Sequence, residues 1–338
     1  MIFTNYTELI AQIQQKIKST KEYTKNIPIF INTRDRFSCV NHLIDWLSKN
    51  GYTNIVIIDN ASTYPILVEF LKECPYPVIR LKKNLGHTAL WMIKAIRPII
   101  RKEWFVYTDP DVVPIETCPS DVITHFYKIL NRHPEYVKVG LGLLLNDIPD
   151  HYHLKRSVIT WESNLYGREI EPEVFEADVD TTFALYRPKV SYTVAPALRT
   201  LGNYQARHLP WYIDSEHIDE EEQYYRNHAI QYITHWNISG TSKHEKLNLR
   251  GGTTAVWSSN SKEFFLKLIN SKSFKIATFF RKFRNIHYKT KIDLEDETLS
   301  DEQIKIEIMR LLTSDDWLFA TQISSLLVKF KEYLHKRR

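Results

Sequence analysis

From about residue 25 the chain alternates short, nearly continuous apolar runs with longer stretches whose apolar positions recur every three to four residues. The runs at 27–32, 54–59, 78–81 and 103–108 read as strands buried on both faces. Between them, 37–50, 64–73 and 87–99 carry helical periodicity, with further helices expected at 7–20 and 119–131. Gly51 is a natural helix stop, because glycine takes the left-handed conformation without steric cost. Apolar strands alternating with helices predict an α/β fold with a mostly parallel central sheet and helices on both faces.

Beyond the fifth helix the rhythm changes. A strand is expected at 137–145, loops and a helical piece at 147–168, and one long strand at 174–186. Residues 203–237 are rich in aromatics, histidine and acids, and 260–338 read as helices. No repeat or interdomain linker breaks residues 1–255, so these are expected to form one domain, with 256–338 as a helical extension.

Three predicted strands end in polar residues: Asn32-Thr33-Arg34, Asp59-Asn60-Ala61-Ser62, and Asp109-Pro110-Asp111. Open α/β sheets bind ligands beyond the carboxyl ends of their strands, so this convergence marks the candidate site. Asp109 and Asp111 lie two residues apart and would face one side of an extended chain. Paired carboxylates suit a hard divalent cation that shares its shell with phosphates; an Asp-Pro turn closing a strand is the simpler reading. Asp59 can accept from a base N–H or a ribose hydroxyl, or can cap the next helix together with Ser62. The planar fork of Arg34 matches phosphate and would equally serve a salt bridge; Lys83 lies within reach of the same region. Neither Gly-x-Gly-x-x-Gly nor Gly-x-x-x-x-Gly-Lys-Ser/Thr occurs, which argues against dinucleotide-dependent dehydrogenases and P-loop NTPases.

Composition narrows the setting. The 338 residues are 43% hydrophobic and 25% charged, as in a well-packed soluble domain, with a net charge of +5. Three cysteines, Cys39, Cys74 and Cys118, without metal-type spacing suggest a reducing compartment. The first residues lack a basic segment followed by an apolar one, and no apolar run approaches the ~20 residues that cross a bilayer. A cytoplasmic protein is expected. The basic segments 272–291 and 329–338 would suit contact with the inner face of a membrane, or a solvated helix face.

Taken in order, Asn32-Thr33-Arg34-Asp35-Arg36, Ile57-Ile58-Asp59-Asn60-Ala61-Ser62, Asn84-Leu85-Gly86 and Asp109-Pro110-Asp111 resemble the motifs of family-2 glycosyltransferases of the GT-A fold. The resemblance covers about residues 25–240. It implies a Rossmann-like sheet with a nucleotide-binding half at about 25–115 and an acceptor half at about 116–255. It also implies Mn²⁺ or Mg²⁺, a nucleoside-diphosphate sugar donor (a UDP-sugar favoured), and transfer with inversion to a glycan or lipid-linked glycan, as in surface polysaccharide synthesis. Carried over residue by residue, Thr33, Arg34, Asp59, Asn60, Lys83, Asn84, Gly86 and Asp109 would line the donor pocket. Asp111, with Asp109, would hold the metal. The proline inside Asp-Pro-Asp fixes φ and removes a donor, which leaves the direct ligand open; Asp111 is favoured.

Inverting transfer needs a carboxylate beside the attacking hydroxyl. The family places acids at a helix start downstream, where Glu221 and Glu222 stand here, with Asp214 as second choice. Acids at a helix start are also favoured by its dipole alone. Asp178 and Asp180 form another same-side pair for donor sugar or acceptor, or for a buried structural role. A late histidine is a frequent third metal ligand in the family; His235 is preferred here and His208 second. Trp211, Tyr212 and Trp236 can stack on a sugar or simply pack, and 250–254 can form a mobile loop or an ordinary turn. The competing functions are a nucleotidyltransferase on a related sheet, which the missing Gly-rich loop disfavours, and a non-catalytic module for glycan or nucleic acid. Nucleic acid is not expected as a partner.

Overall fold

The computed structural model describes residues 6–18, 22–228 and Asn270. His235, Trp236, the segment 250–254, the basic tail and the rest of the expected helical extension lie outside the described residues.

Helix α1 (Tyr6–Lys18) leads into β1 (Ile29–Thr33), α2 (Phe37–Lys49), β2 (Ile55–Asp59), α3 (Pro65–Glu73) and β3 (Val78–Arg80). Then come the one-turn helices α4 (Ala89–Met92) and α5 (Arg97–Ile100), followed by β4 (Phe105–Thr108), β5 (Val112–Pro114), α6 (Val122–Arg132) and β6 (Lys138–Leu143). Helix α7 (Lys155–Ser163), β7 (Glu169–Glu171), β8 (Val174–Glu176), β9 (Ala184–Tyr186), β10 (Ala197–His208) and α8 (Glu220–His228) complete the described chain.

All ten strands belong to one sheet, ordered β3-β2-β1-β4-β9-β6-β10-β8-β7, with β5 paired to β10. Strands β3, β2, β1 and β4 run parallel, β9 is antiparallel to both β4 and β6, and β6 and β10 are again parallel. The first two crossovers step one way and the third steps back past β1. Right-handed connections therefore set α2 and α3 on one face and α4–α5 on the other. Helix α2 packs on α3, while α1 packs on the turn at Lys94–Ile96. The α/β class with a mostly parallel, helix-covered sheet is the one the sequence predicts. Strands β1, β2 and β4 are buried along their whole length, as a sheet covered on both faces requires.

Local chemistry accounts for the boundaries. Gly51, at φ +78°, ends α2 with a paired-bond stop in which Gly51 N–H donates to Ser48 and Tyr52 N–H to Leu47. Two sequence expectations fail. The helix expected at 87–99 is broken, because Ile93 is extended (φ −83°, ψ 98°) and Pro98, which lacks an N–H, can only begin a new turn. The single strand expected at 174–186 is two strands: β8 pairs with β10, whereas β9 inserts between β4 and β6. The connection at 177–183 is irregular, so Asp178 and Asp180 are not strand neighbours. Asp180 is exposed and Asp178 half-buried.

Strand β10 escaped the hydrophobic pattern because polar residues and a bulge interrupt it. The register against β6 shifts between Thr200 and Gln205, Gly202 is left-handed at φ +61°, and Thr200 Oγ1 donates to Tyr204 O at 2.6 Å across the bulge. Gly142 of β6 lies against it: a Cβ there would come within 2.2 Å of the Thr200 carbonyl oxygen. Gly142→Ala should therefore cost about 1–3 kcal/mol. Gly167→Ala, where a Cβ meets nothing within 4 Å, should change little. Urea midpoints at constant slope check the contrast; equal midpoints for the two variants would refute this packing of β6 on β10.

Candidate active site

Winding direction reverses between β1 and β4, and open α/β sheets place their ligand crevice beyond the carboxyl ends of the strands at such a switch point. Asn32 spans it: its Nδ2 stands 3.5 Å from Asp109 Oδ1 and 3.5 Å from the Gly86 carbonyl. On one side, parallel pairing sets Thr33 beside Asp59. Asp59 is fully buried and Oδ1 accepts from Ser62 N–H at 2.8 Å, closing its own turn; it does not cap α3, whose start at Tyr64 donates to Asp35 instead. Its Oδ2 has no hydrogen-bond donor, and Arg80 Nε stands 3.5 Å away. Burial raises the Asp59 pKa despite the Ser62 donors and Arg80. The Thr33 hydroxyl is buried and also without a partner. Two acceptors, one carboxylate and one hydroxyl, thus sit ready on adjacent strands.

The other donor-pocket candidates shape the loops. Arg34 donates to the Asn60 and Ala61 carbonyls at 3.1 and 3.0 Å, holding the left-handed turn at Ala61. Asn60 bridges to the next loop, accepting from Leu85 N–H at 2.6 Å and donating to Gly86 O at 3.0 Å. Asn84 Oδ1 accepts from the N–H of Gly86, whose φ of +73° favours glycine. Lys83 is exposed and belongs to none of these bonds.

Asp109 and Asp111 meet different surroundings. Asp109 N–H donates to the Thr181 carbonyl at 2.8 Å, and the Thr181 hydroxyl donates back to Asp109 Oδ2. Burial, and then the charge of Asp111, raise the Asp109 carboxyl well above the ordinary range. Asp111 faces basic side chains instead. Strand β5 pairs antiparallel with the end of β10, aligning Val112 with His208 and bringing His208 Nε2 to 3.6 Å from Asp111 Oδ2. Burial pushes the Asp111 carboxyl up, but His208 and then Arg36 pull it further down, to a net position below the ordinary value. The two carboxylates titrate as a coupled pair: one is held ionised and the other is held toward the neutral form.

The remaining acids are distributed unequally. Glu221 accepts from Ser38 N–H at 3.0 Å and Ser38 Oγ at 2.6 Å, capping α2. Glu222 is buried, with Oε2 2.9 Å from Arg36 Nη2 and Oε1 accepting from Arg226 at 2.8 Å. The Arg36 guanidinium lies 3.8 Å over the Tyr225 ring. Asp214 closes its own turn, accepting from Glu216 N–H at 2.9 Å and pairing with His217 at 3.0 Å. Asp180 adjoins the Thr181 clasp, and its carboxylate is engaged in no hydrogen bond or ion pair among the described residues. His235 lies outside the described residues; His208, the second-choice histidine, stands beside Asp111.

Sequence reasoning missed the buried basic side chains under the 177–183 connection. Arg199 Nε donates to the Asp178 carbonyl at 2.7 Å, and its Nη1 meets Glu162 Oε2 at 2.7 Å. Lys138 is fully buried, its Nζ 3.3 Å from the Asp180 carbonyl and 3.0 Å from the Tyr186 hydroxyl. A lysine opening an otherwise apolar strand was the available signal.

Among the described residues, no group of three or more His, Cys, Asp or Glu side chains is arranged to hold a metal ion. Asp111 and His208 instead stand side by side as a pair of donors, 3.6 Å apart. That donor set fits a divalent cation completing its shell with phosphate oxygens and water.

No protein-family model matches this chain, and no curated protein sequence matches it. Solved structures that are similar include glucosyl-3-phosphoglycerate synthase from Mycobacterium tuberculosis with phosphoglyceric acid, at 11% identity and TM-score 0.30, covering 53% of this chain and 60% of that one. The same synthase with Mn²⁺ and UDP-glucose aligns at 12% identity and TM-score 0.32, covering 61% and 68%. A mycobacterial protein aligns at 13% identity and TM-score 0.34, covering 60% and 71%. Likeness at this level carries no argument about activity.

The buried lysine gives a pH test. Burial, opposed by Asp180 and Asp178 and aided by Arg199, lowers the Lys138 pKa from 10.5 to about 7. Between those values the unfolded chain binds the extra proton, so this group makes stability rise with pH, by up to about 1.4 kcal/mol per unit. Lys138→Met should remove that slope between pH 7 and 9.5. Parallel stability curves for both proteins would contradict a neutral buried amine.

Proposed function

We propose that this chain is a divalent-cation-dependent glycosyltransferase using a nucleoside-diphosphate sugar, with a UDP-sugar favoured and a glycan or lipid-linked hydroxyl as acceptor. The observation that carries the reading is the meeting of Asp111 and His208 beside the switch-point crevice, one from the end of a parallel strand and the other from an antiparallel pairing. Aspartate alone would leave a turn; aspartate with imidazole makes a half site for a cation bound to diphosphate. In this reading Asp59 Oδ2, which faces Arg80 Nε at 3.5 Å, and the buried Thr33 hydroxyl accept from the base or ribose of the donor. Asn60 and Asn84 hold the loop at Gly86 against it.

Asp111 and His208 would hold the cation, which when bound supplies positive charge against the departing diphosphate. Asp109 is kept in place by Thr181 and Asn32, on the flank of the same crevice. Asp180 is the base of this proposal. Its carboxylate takes the proton of the acceptor hydroxyl as the oxygen bonds to the anomeric carbon. The bond from that carbon to the diphosphate breaks with its electron pair on oxygen, which gives inversion. Glu222, first choice on sequence grounds, is given a different part: it balances Arg36, which in turn faces Asp111.

UDP with Mn²⁺ should stabilise the wild-type protein against heat; ligand at a hundredfold excess over Kd contributes about 2.7 kcal/mol. Asp111→Asn and His208→Ala should each remove most of the shift. Equal stabilisation by UDP with and without cation, or an undiminished shift in Asp111→Asn, would contradict the reading. Asp180→Asn should lower kcat at least a hundredfold, within the range of lost general-base catalysis, while nucleotide affinity stays within about twofold. Near-normal kcat in that variant would exclude Asp180 as the base.

A further inference from the structure

We propose that Lys138 is a positioning residue of this site, fastening the 177–183 connection from below so that Thr181 clasps Asp109; its catalytic consequence rests on the glycosyltransferase reading. Lys138 stands at the start of β6, opposite Tyr186 of β9 and Ala197 of β10. Its side chain runs beneath the irregular connection between β8 and β9. The amine nitrogen donates to the Tyr186 hydroxyl at 3.0 Å and to the Asp180 carbonyl at 3.3 Å, and the Tyr186 hydroxyl donates to that same carbonyl at 3.3 Å. The nitrogen also lies 4.7 Å from the Tyr186 ring centre and 5.7 Å from that of Tyr192, so aromatic faces enclose it.

The triangle fixes the peptide joining Asp180 to Thr181. Thr181 then makes two bonds to Asp109, one from its hydroxyl to the carboxylate and one from the Asp109 N–H to its carbonyl. Two residues upstream, Arg199 holds the Asp178 carbonyl in the same manner. Two buried basic side chains thus take two backbone carbonyls of a segment that lacks regular pairing, and the Asp180 side chain is left facing solvent.

A purely structural account is weaker. The rest of β6 is apolar or glycine, Val139-Gly140-Leu141-Gly142-Leu143, and a methionine or leucine would fill the same space without burying an amine. Local rules broken at one position, in a strand that otherwise obeys them, are expected where a site is held.

Backbone amide exchange at Asp109 tests the claim without any assay of activity, because that N–H donates to Thr181. Lys138→Met, which keeps length and removes the donors, should speed Asp109 exchange at least tenfold and leave the amides of β2 unchanged. Tyr186→Phe should act in the same direction and less strongly, and Lys138→Arg should restore slow exchange at least in part. On the active enzyme, Lys138→Met should lower kcat while KM for the donor stays within about threefold. Wild-type exchange at Asp109 in Lys138→Met, or equal acceleration throughout β2, would overturn the assignment. If the wild type turns over no sugar nucleotide, the proposed function fails, and the exchange measurement still decides whether Lys138 positions Asp109.

Discussion

Two carboxylates separated by one proline cannot both carry full charge in a half-buried crevice unless something positive faces them. The surroundings of Asp109 and Asp111 resolve this unequally. Asp111 has His208 and the nearby Arg36, and its carboxyl is held toward the charged form. Among the described residues Asp109 has the neutral donors Thr181 and Asn32, and burial and the charge of Asp111 push it toward the protonated form. The pair is therefore poised for one further positive charge.

That asymmetry depends on contacts made far along the chain. His208 reaches Asp111 only because β10 runs past its bulge and pairs with β5. Arg36 stays buried near Asp111 because Glu222 of α8 neutralises it, while Glu221 anchors the same helix to the start of α2. Breaking a buried pair of this kind by removing one partner typically costs about 3–5 kcal/mol. The acids of α8 thus tie the second half of the domain to the first at the point where charge matters most. Asp35 plays a similar part within the first half: left-handed at φ +51°, it accepts from Tyr64 N–H at 2.8 Å and locks the first strand end to α3.

Much of the first half was legible because its strands are continuous apolar runs and its helices carry clear periodicity and stop signals, as at Gly51. The strand-end residues Asp59, Asn60 and Asp109 could be located for the same reason. The second half was less legible. Strand β10 mixes arginine, threonine, glycine and glutamine around a bulge, so no two-residue alternation announces it. Without β10, nothing could say which histidine meets Asp111. The acids at 219–222 looked suitable for chemistry by position, but spacing along a chain does not reveal that Arg36, nearly two hundred residues earlier, takes up one of them. Lys138 and Arg199 are ordinary charged letters in sequence and become informative only once burial is known.

The half site can be read directly by pulsed electron paramagnetic resonance of Mn²⁺ bound with UDP. The account predicts ¹⁴N coupling from one imidazole in the wild-type protein, lost in His208→Ala and retained in His235→Ala. Absence of nitrogen coupling in the wild type, or its persistence in His208→Ala, would contradict the pairing of Asp111 with His208 as the cation site.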